Sequence, residues 1–252
     1  RQPIGVAACI SPWNLPLYLL TWKVAPALAA GNTVVAKPSE ITPMTAYLFS
    51  KICIEAGLPK GVLNIVHGLG SKVGDPLTTH EDTSIVSFTG GTVTGKHIAS
   101  VTAPMFKKIS LELGGKNPNI VFSDCDFDKA VSFASRAAFT NQGQICLCGS
   151  RLFVQDEIYE RFKIALIQKA SKLKIGDPRD SQNNLGAVVS KEHMNKILYN
   201  VEEAKKLGGK ILLGGKREII KGSLEEGYYV EIEVASKNDD GSIICDSIAC
   251  VS

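Results

Sequence analysis

The sequence predicts an α/β fold built on a doubly wound parallel sheet, and three observations carry that expectation. Short apolar, β-favouring runs at 4–10, 33–36, 62–66 and 85–88 alternate with helical stretches, so that strand and helix succeed each other four times. Each run ends in turn chemistry, as in Ser11-Pro12-Trp13-Asn14, Lys37-Pro38-Ser39-Glu40, Gly68-Leu69-Gly70 and Thr89-Gly90-Gly91-Thr92. The composition is 44% hydrophobic and 21% charged over 252 residues, that of a globular chain with ample material for a core.

Composition also excludes some classes of function. A net charge of +3, scattered along the chain, gives no footprint for nucleic acid or an acidic surface. No apolar run reaches the length of a membrane-spanning helix, so no membrane partner is expected. The seven cysteines, at 9, 53, 125, 146, 148, 245 and 250, are odd in number and show no framework spacing, which predicts a reducing, cytoplasmic setting. The chain opens on Arg1 and Pro3-Ile4-Gly5-Val6 as if in the middle of a fold, and a piece of a longer protein, incomplete at both ends, is expected.

The first strand ends in a loop in which two prolines stop any ladder and Asn14 is exposed to two uses, a polar ligand contact or a cap for the helix at 17–30. At the end of the second strand Lys37 and Glu40 stand together. A carboxylate there can accept from ribose hydroxyls and repel a 2′-phosphate; a solvated turn is the plainer alternative. A helix follows over 43–56. The third strand leads into Gly70 and Gly74, and the fourth into four hydroxyl- and glycine-type residues that open a helix reaching about Ala103, a seat for an anion. In the fifth strand, 107–113, alternation sets Leu111 and Leu113 on one face and Glu112 on the other. A lone acid in a half-buried strand is costly to ionise, which suits a general base, although an exposed strand glutamate has the same sequence.

Beyond it, a short strand at 119–122 and a helix over 126–140 lead to Gly143-Gln144-Ile145-Cys146-Leu147-Cys148-Gly149. A catalytic thiolate needs a partly open position with backbone amides nearby, and a glycine-containing turn leaving a helix offers both. A small buried hydrophobe, or a metal pair with Cys148, are the other readings of Cys146. A strand at 152–154, helices over 158–173 and 191–207, and strands at 210–213 and 228–230 complete the pattern.

Taken in order, Pro12-Trp13-Asn14-Leu15-Pro16, Lys37-Pro38-Ser39-Glu40, Phe88-Thr89-Gly90 with Gly95, Leu111-Glu112-Leu113-Gly114-Gly115-Lys116 and Gly143-Gln144-Ile145-Cys146 resemble the aldehyde dehydrogenase superfamily. Cys146 follows Glu112 by 34 residues. The stretches 11–23 and 144–148 look like its 2-aminomuconic semialdehyde dehydrogenase branch. The resemblance implies a Rossmann-like NAD-binding domain over 1–113, part of an α/β catalytic domain over 114–230, and a divergent tail over 231–252. It implies NAD-dependent oxidation of an aldehyde, such as 2-aminomuconate semialdehyde, to the acid, without a metal and in a homo-oligomer. Cys146 matches the nucleophile, Asn14 an oxyanion donor, Glu112 the base and Lys23 a proton relay. Trp13, Lys37, Glu40, Gly70, Gly74, Phe88, Gly90, Gly91, Gly95 and Leu113 match the cofactor cleft.

The chain departs from the family pattern in three places. Gly91 stands where a serine is common, with Thr92 beside it. Ile232-Glu233 replaces a Pro-Thr pair, and no Glu-x-Phe-Gly-Pro motif, the source of a nicotinamide-ribose contact, occurs before Ser252. A broad retinal or aliphatic aldehyde dehydrogenase and a truncated non-catalytic relative are the rival readings.

Overall fold

Strand order explains where the first half of the chain can hold a ligand. The structure, a computed structural model, describes residues 2–236 and 242–245. The chain divides into two compact units at Gly114/Gly115. In the first unit the elements run β1 (Val6–Ile10), α1 (Pro16–Ala29), β2 (Thr33–Lys37), α2 (Met44–Glu55), β3 (Leu63–Ile65), a π-helical turn (Gly70–Gly74), α3 (Asp75–Thr79), β4 (Thr83–Gly90), α4 (Thr92–Thr102) and β5 (Lys108–Leu113). The sheet is parallel throughout, in the order β3-β2-β1-β4-β5. The chain builds outward from β1 to β3, then returns to add β4 on the other side of β1. The carboxyl ends of β1 and β4 therefore flank a topological switch point, where open α/β sheets bind ligands.

Both faces of this sheet are covered, as a parallel sheet requires. Ala7, Cys9, Val34 and Ala36 pack under Leu20 and Val24 of α1 and Ala46 of α2, while Ala8, Ile10, Val86 and Phe88 pack against Ile98 of α4 on the opposite face. The Asn32 carboxamide closes the unit's open end: its oxygen accepts from the N–H groups of Ile4 (2.7 Å) and Gly5 (3.2 Å), and its nitrogen donates to the Ala27 carbonyl at 3.0 Å. Two expectations change. Thr89 and Gly90 belong to β4, because the ladder continues through Thr89↔Glu112 and Gly90↔Leu113, so only Gly91 and Thr92 open α4. Glu112 is exposed rather than half-buried, because β5 is an edge strand.

The second unit contains β6 (Pro118–Val121), α5 (Phe127–Phe139), a 3₁₀ turn (Thr140–Gly143), β7 (Arg151–Val154), α6 (Tyr159–Ala170), α7 (Lys191–Lys206), β8 (Lys210–Leu213), β9 (Arg217–Glu218), β10 (Tyr229–Val230), β11 (Val234–Ser236) and β12 (Ser242–Cys245). Five of these strands make one mixed sheet in the order β6-β7-β12-β11-β8, and β9 pairs with β10. Asp126 caps α5 by accepting from the Lys129 N–H at 3.3 Å, and Ser190 caps α7 by accepting from the His193 N–H at 3.1 Å. Val131, Ala134, Ala138 and Phe139 of α5 bury against Phe162 and Leu166 of α6 and Leu152 of β7. The tail over 231–252, expected to diverge, supplies β11 and β12 to this sheet; its residues 237–241 and 246–252 lie outside the described residues. Among the described residues no helix is long and apolar enough to cross a membrane.

Candidate active site

Three strand ends in the first unit carry the expected cofactor residues. After β1 the Ser11 N–H donates to the Lys37 carbonyl at 3.1 Å, which holds the first two strand ends together. Asn14 is buried, and α1 is capped at Leu15 with Pro16 in its first turn, so Asn14 is not that helix's cap. Lys37 is no solvated turn residue. Its side chain is 4% exposed, and Nζ donates to the Pro38 carbonyl (3.0 Å) and to Glu40 Oε2 (3.2 Å), leaving the Glu40 carboxylate 43% exposed at the rim. After β4, Gly91 starts α4 without a side-chain cap, so first-turn amides of an 11-residue helix are left for a ligand.

The glycines have different reasons to be glycine. A Cβ at Gly90 would lie 2.4 Å from Phe88 Cζ, and one at Gly95 would lie 2.5 Å from Leu113 Cδ2, so the Phe88 ring lies against bare backbone and α4 rests directly on β5. A Cβ at Gly70 or Gly74 would meet no atom within 4 Å, so there is room beside exposed Gly70 and beside buried Gly74. Ser11 Oγ is buried at the β1 end with no partner among the described residues.

On the α1 side of the same sheet lies a buried polar group. Lys23 is only 8% exposed and its Nζ donates to Ser87 Oγ at 3.1 Å. Burial holds its ammonium below the usual lysine range, while the Cys9 thiol and the Glu112 carboxylate draw it back up. Cys9, the ladder partner of Ser87, is pushed up to about 11 by burial, with Lys23 opposing. Leu111 and Leu113 pack on the other face, so Glu112 shares a face with Lys23.

In the second unit α5 gives way to three consecutive left-handed residues, Asn141 (φ 53°), Gln142 (φ 55°) and Gly143 (φ 71°). Two non-glycine residues in that region cost about 1 kcal/mol each, so the surroundings must enforce the turn. Buried Gln144 does so: its Nε2 donates to the Asn141 carbonyl (3.3 Å) and its Oε1 accepts from the Val189 N–H (3.2 Å). Asn117 holds the next stretch, its Nδ2 donating to the carbonyls of Cys146 (2.6 Å) and Cys148 (3.1 Å). The Gly149 N–H donates to the Ala137 carbonyl at 3.2 Å, and the Arg151 guanidinium grips the Lys116 carbonyl at 2.6 and 3.0 Å. Between these ties Cys146 is a free thiol of intermediate burial, whereas Cys148 is buried. The Cys146 N–H makes no hydrogen bond among the described residues. A fixed, reachable thiol with a spare amide beside it can attack an electrophilic carbon and hold the resulting oxyanion.

Residues 1–248 match the sequence model of the aldehyde dehydrogenase family. The chain belongs to the aldehyde dehydrogenase family. It is 50% identical to 2-aminomuconic semialdehyde dehydrogenase of Mus musculus over 214 residues, 85% of this chain and 44% of that protein. It is 46% identical to betaine aldehyde dehydrogenase of Bacillus subtilis (strain 168) over 249 residues, 98% of this chain and 51% of that one. The crystal structure of betaine aldehyde dehydrogenase from Staphylococcus aureus in complex with NAD+ superposes with a TM-score of 0.90 at 45% identity, covering 94% of this chain and 47% of that one. The chain thus spans about half the length of the relatives it matches.

Asn117 and Ser87 carry no functional signal in the sequence of this aldehyde dehydrogenase family member. Asn117 precedes a proline and looks like an ordinary turn residue; its targets lie 29 and 31 residues away, a relation no local pattern carries. Ser87 sits in an apolar strand, and only the ladder that sets it beside Cys9 reveals why Lys23 can be buried.

Proposed function

We propose that this protein oxidises an aldehyde to its carboxylic acid with NAD, through a covalent intermediate on Cys146. The observation that carries this reading is the half-buried Cys146 thiol on a loop pinned through its carbonyls while its own N–H stays available. Residues 1–113 are assigned to NAD and residues 114–230 to catalysis. A dinucleotide fits what the first unit offers: uncapped α4 amides and Thr92 for pyrophosphate, Lys37 and exposed Glu40 for the adenosine ribose, and room beside Gly70 and Gly74. Trp13, Phe88, Gly90, Gly91, Gly95 and Leu113 are assigned to the rest of that cleft.

The Cys146 thiolate attacks the aldehyde carbon; a C–S bond forms and the carbonyl π electrons move to oxygen. The Cys146 N–H and the Asn14 carboxamide are assigned to hold that oxyanion, each donor being worth about 3–4 kcal/mol in comparable sites. NAD, when bound, supplies the acceptor for the hydride that leaves the thiohemiacetal carbon, so that a thioester remains on Cys146. Glu112 then takes a proton from water, whose oxygen attacks the thioester carbonyl. The C–S bond breaks, the thiolate returns and the acid leaves. Lys23, within the field of Glu112 and held by Ser87, is assigned to pass that proton on.

For the substrate we infer an aldehyde that also carries a carboxylate, 2-aminomuconate semialdehyde. The support is similarity to the mouse protein of that name and to its namesake in Homo sapiens, 50% identical over 214 residues. The test is NADH formation with a panel of aldehydes, run on this chain and on a version extended through the Glu-x-Phe-Gly-Pro motif. Oxidation of the carboxylated semialdehyde, abolished by Cys146→Ser with NAD binding retained, is expected. Unchanged turnover in that variant removes the nucleophile, and a preference for betaine aldehyde removes the substrate.

A further inference from the structure

The face of α5 turned away from the core carries an unexplained charge. Val131, Ala134, Ala138 and Phe139 are buried, which leaves Phe133, Arg136 and Ala137 of α5 and its C-cap Thr140, at i, i+3, i+4 and i+7, on the other side. Together with Ile145 and Leu147, the neighbours of Cys146 in sequence, these residues line an open groove of about 460 Å³. Its walls are mostly apolar. Thr140 Oγ1 is spent on the Arg136 carbonyl at 2.7 Å. That leaves the Arg136 guanidinium as the charged group of the groove. Arg136 is exposed and forms no ion pair among the described residues.

A cation in the last turn of a helix complements the helix dipole, but that small effect does not ask for a planar donor on the wall of an apolar groove. An aldehyde attacked by Cys146 must lay its remaining atoms along something, and Ile145 and Leu147, on either side of that cysteine in sequence, line the groove together with Cys148. Guanidinium and carboxylate match as a two-pronged pair, whereas a quaternary ammonium gains nothing there and is repelled. Resting on the reading of Cys146 as nucleophile, we propose that Arg136 is the specificity residue of this site: it binds the carboxylate of a semialdehyde substrate and disfavours cationic aldehydes.

The experiment compares wild type, Arg136→Ala and Arg136→Lys on three aldehydes: succinic semialdehyde, butanal, which has the same chain length and no charge, and betaine aldehyde. A lost charge-assisted hydrogen bond predicts a fall of about 10- to 100-fold in kcat/KM for succinic semialdehyde in Arg136→Ala, mainly through KM. Butanal should stay within about threefold of wild type, betaine aldehyde should improve, and Arg136→Lys should recover part of the loss. A parallel fall for succinic semialdehyde and butanal, or no fall for either, overturns the assignment. A second readout does not depend on turnover: succinate should slow alkylation of Cys146 by iodoacetamide in wild type and not in Arg136→Ala. Equal protection in both, or none in wild type, also overturns it. If alkylation behaves as expected but Cys146→Ser still oxidises aldehydes, the error lies in the nucleophile and not in Arg136.

Discussion

Cys146 owes its position to Asn117. Removing that carboxamide frees two carbonyls in the loop that carries the thiol, one of them Cys146's own. Asn117→Ala should cost about 1–3 kcal/mol of stability, two hydrogen bonds' worth, and lower kcat at least about tenfold through misplacement of the proposed nucleophile. NAD affinity should be unaltered; steady-state kinetics with an NAD titration separates the two, and an unchanged kcat contradicts the positioning role. Cys9 gives a different kind of signal. Its folded pKa, about 11 against an ordinary 9.0, means that the folded protein keeps a proton which the unfolded chain releases. That contribution to stability is full below pH 9 and is lost as pH rises towards 11, at most about 2–3 kcal/mol. Lys23 works in the opposite direction: its folded pKa is lowered, so the cost of burying its charge is relieved as pH rises towards its unfolded value of 10.5. Cys9→Ala should therefore lose stability less steeply than wild type between pH 9 and 11 in urea unfolding. Parallel curves would contradict the shift.

At the scale of elements, the second sheet depends on a close approach at the end of β8. Gly214 has φ 66°, and a Cβ there would lie 1.8 Å from the carbonyl oxygen of Ile232, just before β11. Backbone cannot step aside as a flexible side chain can, so Gly214→Ala should destabilise by about 2–4 kcal/mol in chemical denaturation. A change under about 0.5 kcal/mol would show that β8 and β11 do not meet in this way. β11 illustrates what the sequence withheld. The strands of the first unit were legible because each is an apolar run closed by turn residues, and the three longer helices because Gly31, Gly57-Leu58-Pro59 and Pro104 close them. Val234–Ser236 is three residues long, follows an acidic–apolar stretch and pairs with β8 and with β12, so neither period nor composition marks it. The candidate site divides along the same line. Cys146, Glu112 and Asn14 could be picked out from motifs, but the burial of Lys37 and the exposure of Glu112 depend on which strands lie at the centre of the sheet and which at its edge.

At the scale of the whole molecule, one chain carries a parallel sheet whose switch point suits a dinucleotide and a mixed-sheet unit that presents a pinned thiol. In the proposed reaction the aldehyde carbon becomes covalently bound to Cys146 and is released by water through Glu112. The most direct test is to incubate Glu112→Gln with NAD and the aldehyde that wild type prefers, then to locate added mass by peptide mass spectrometry. About one NADH per active site is expected, followed by a stall, with an acyl group on the peptide that contains Cys146. Continued turnover at the wild-type rate, or an acyl group on any other residue, would contradict it.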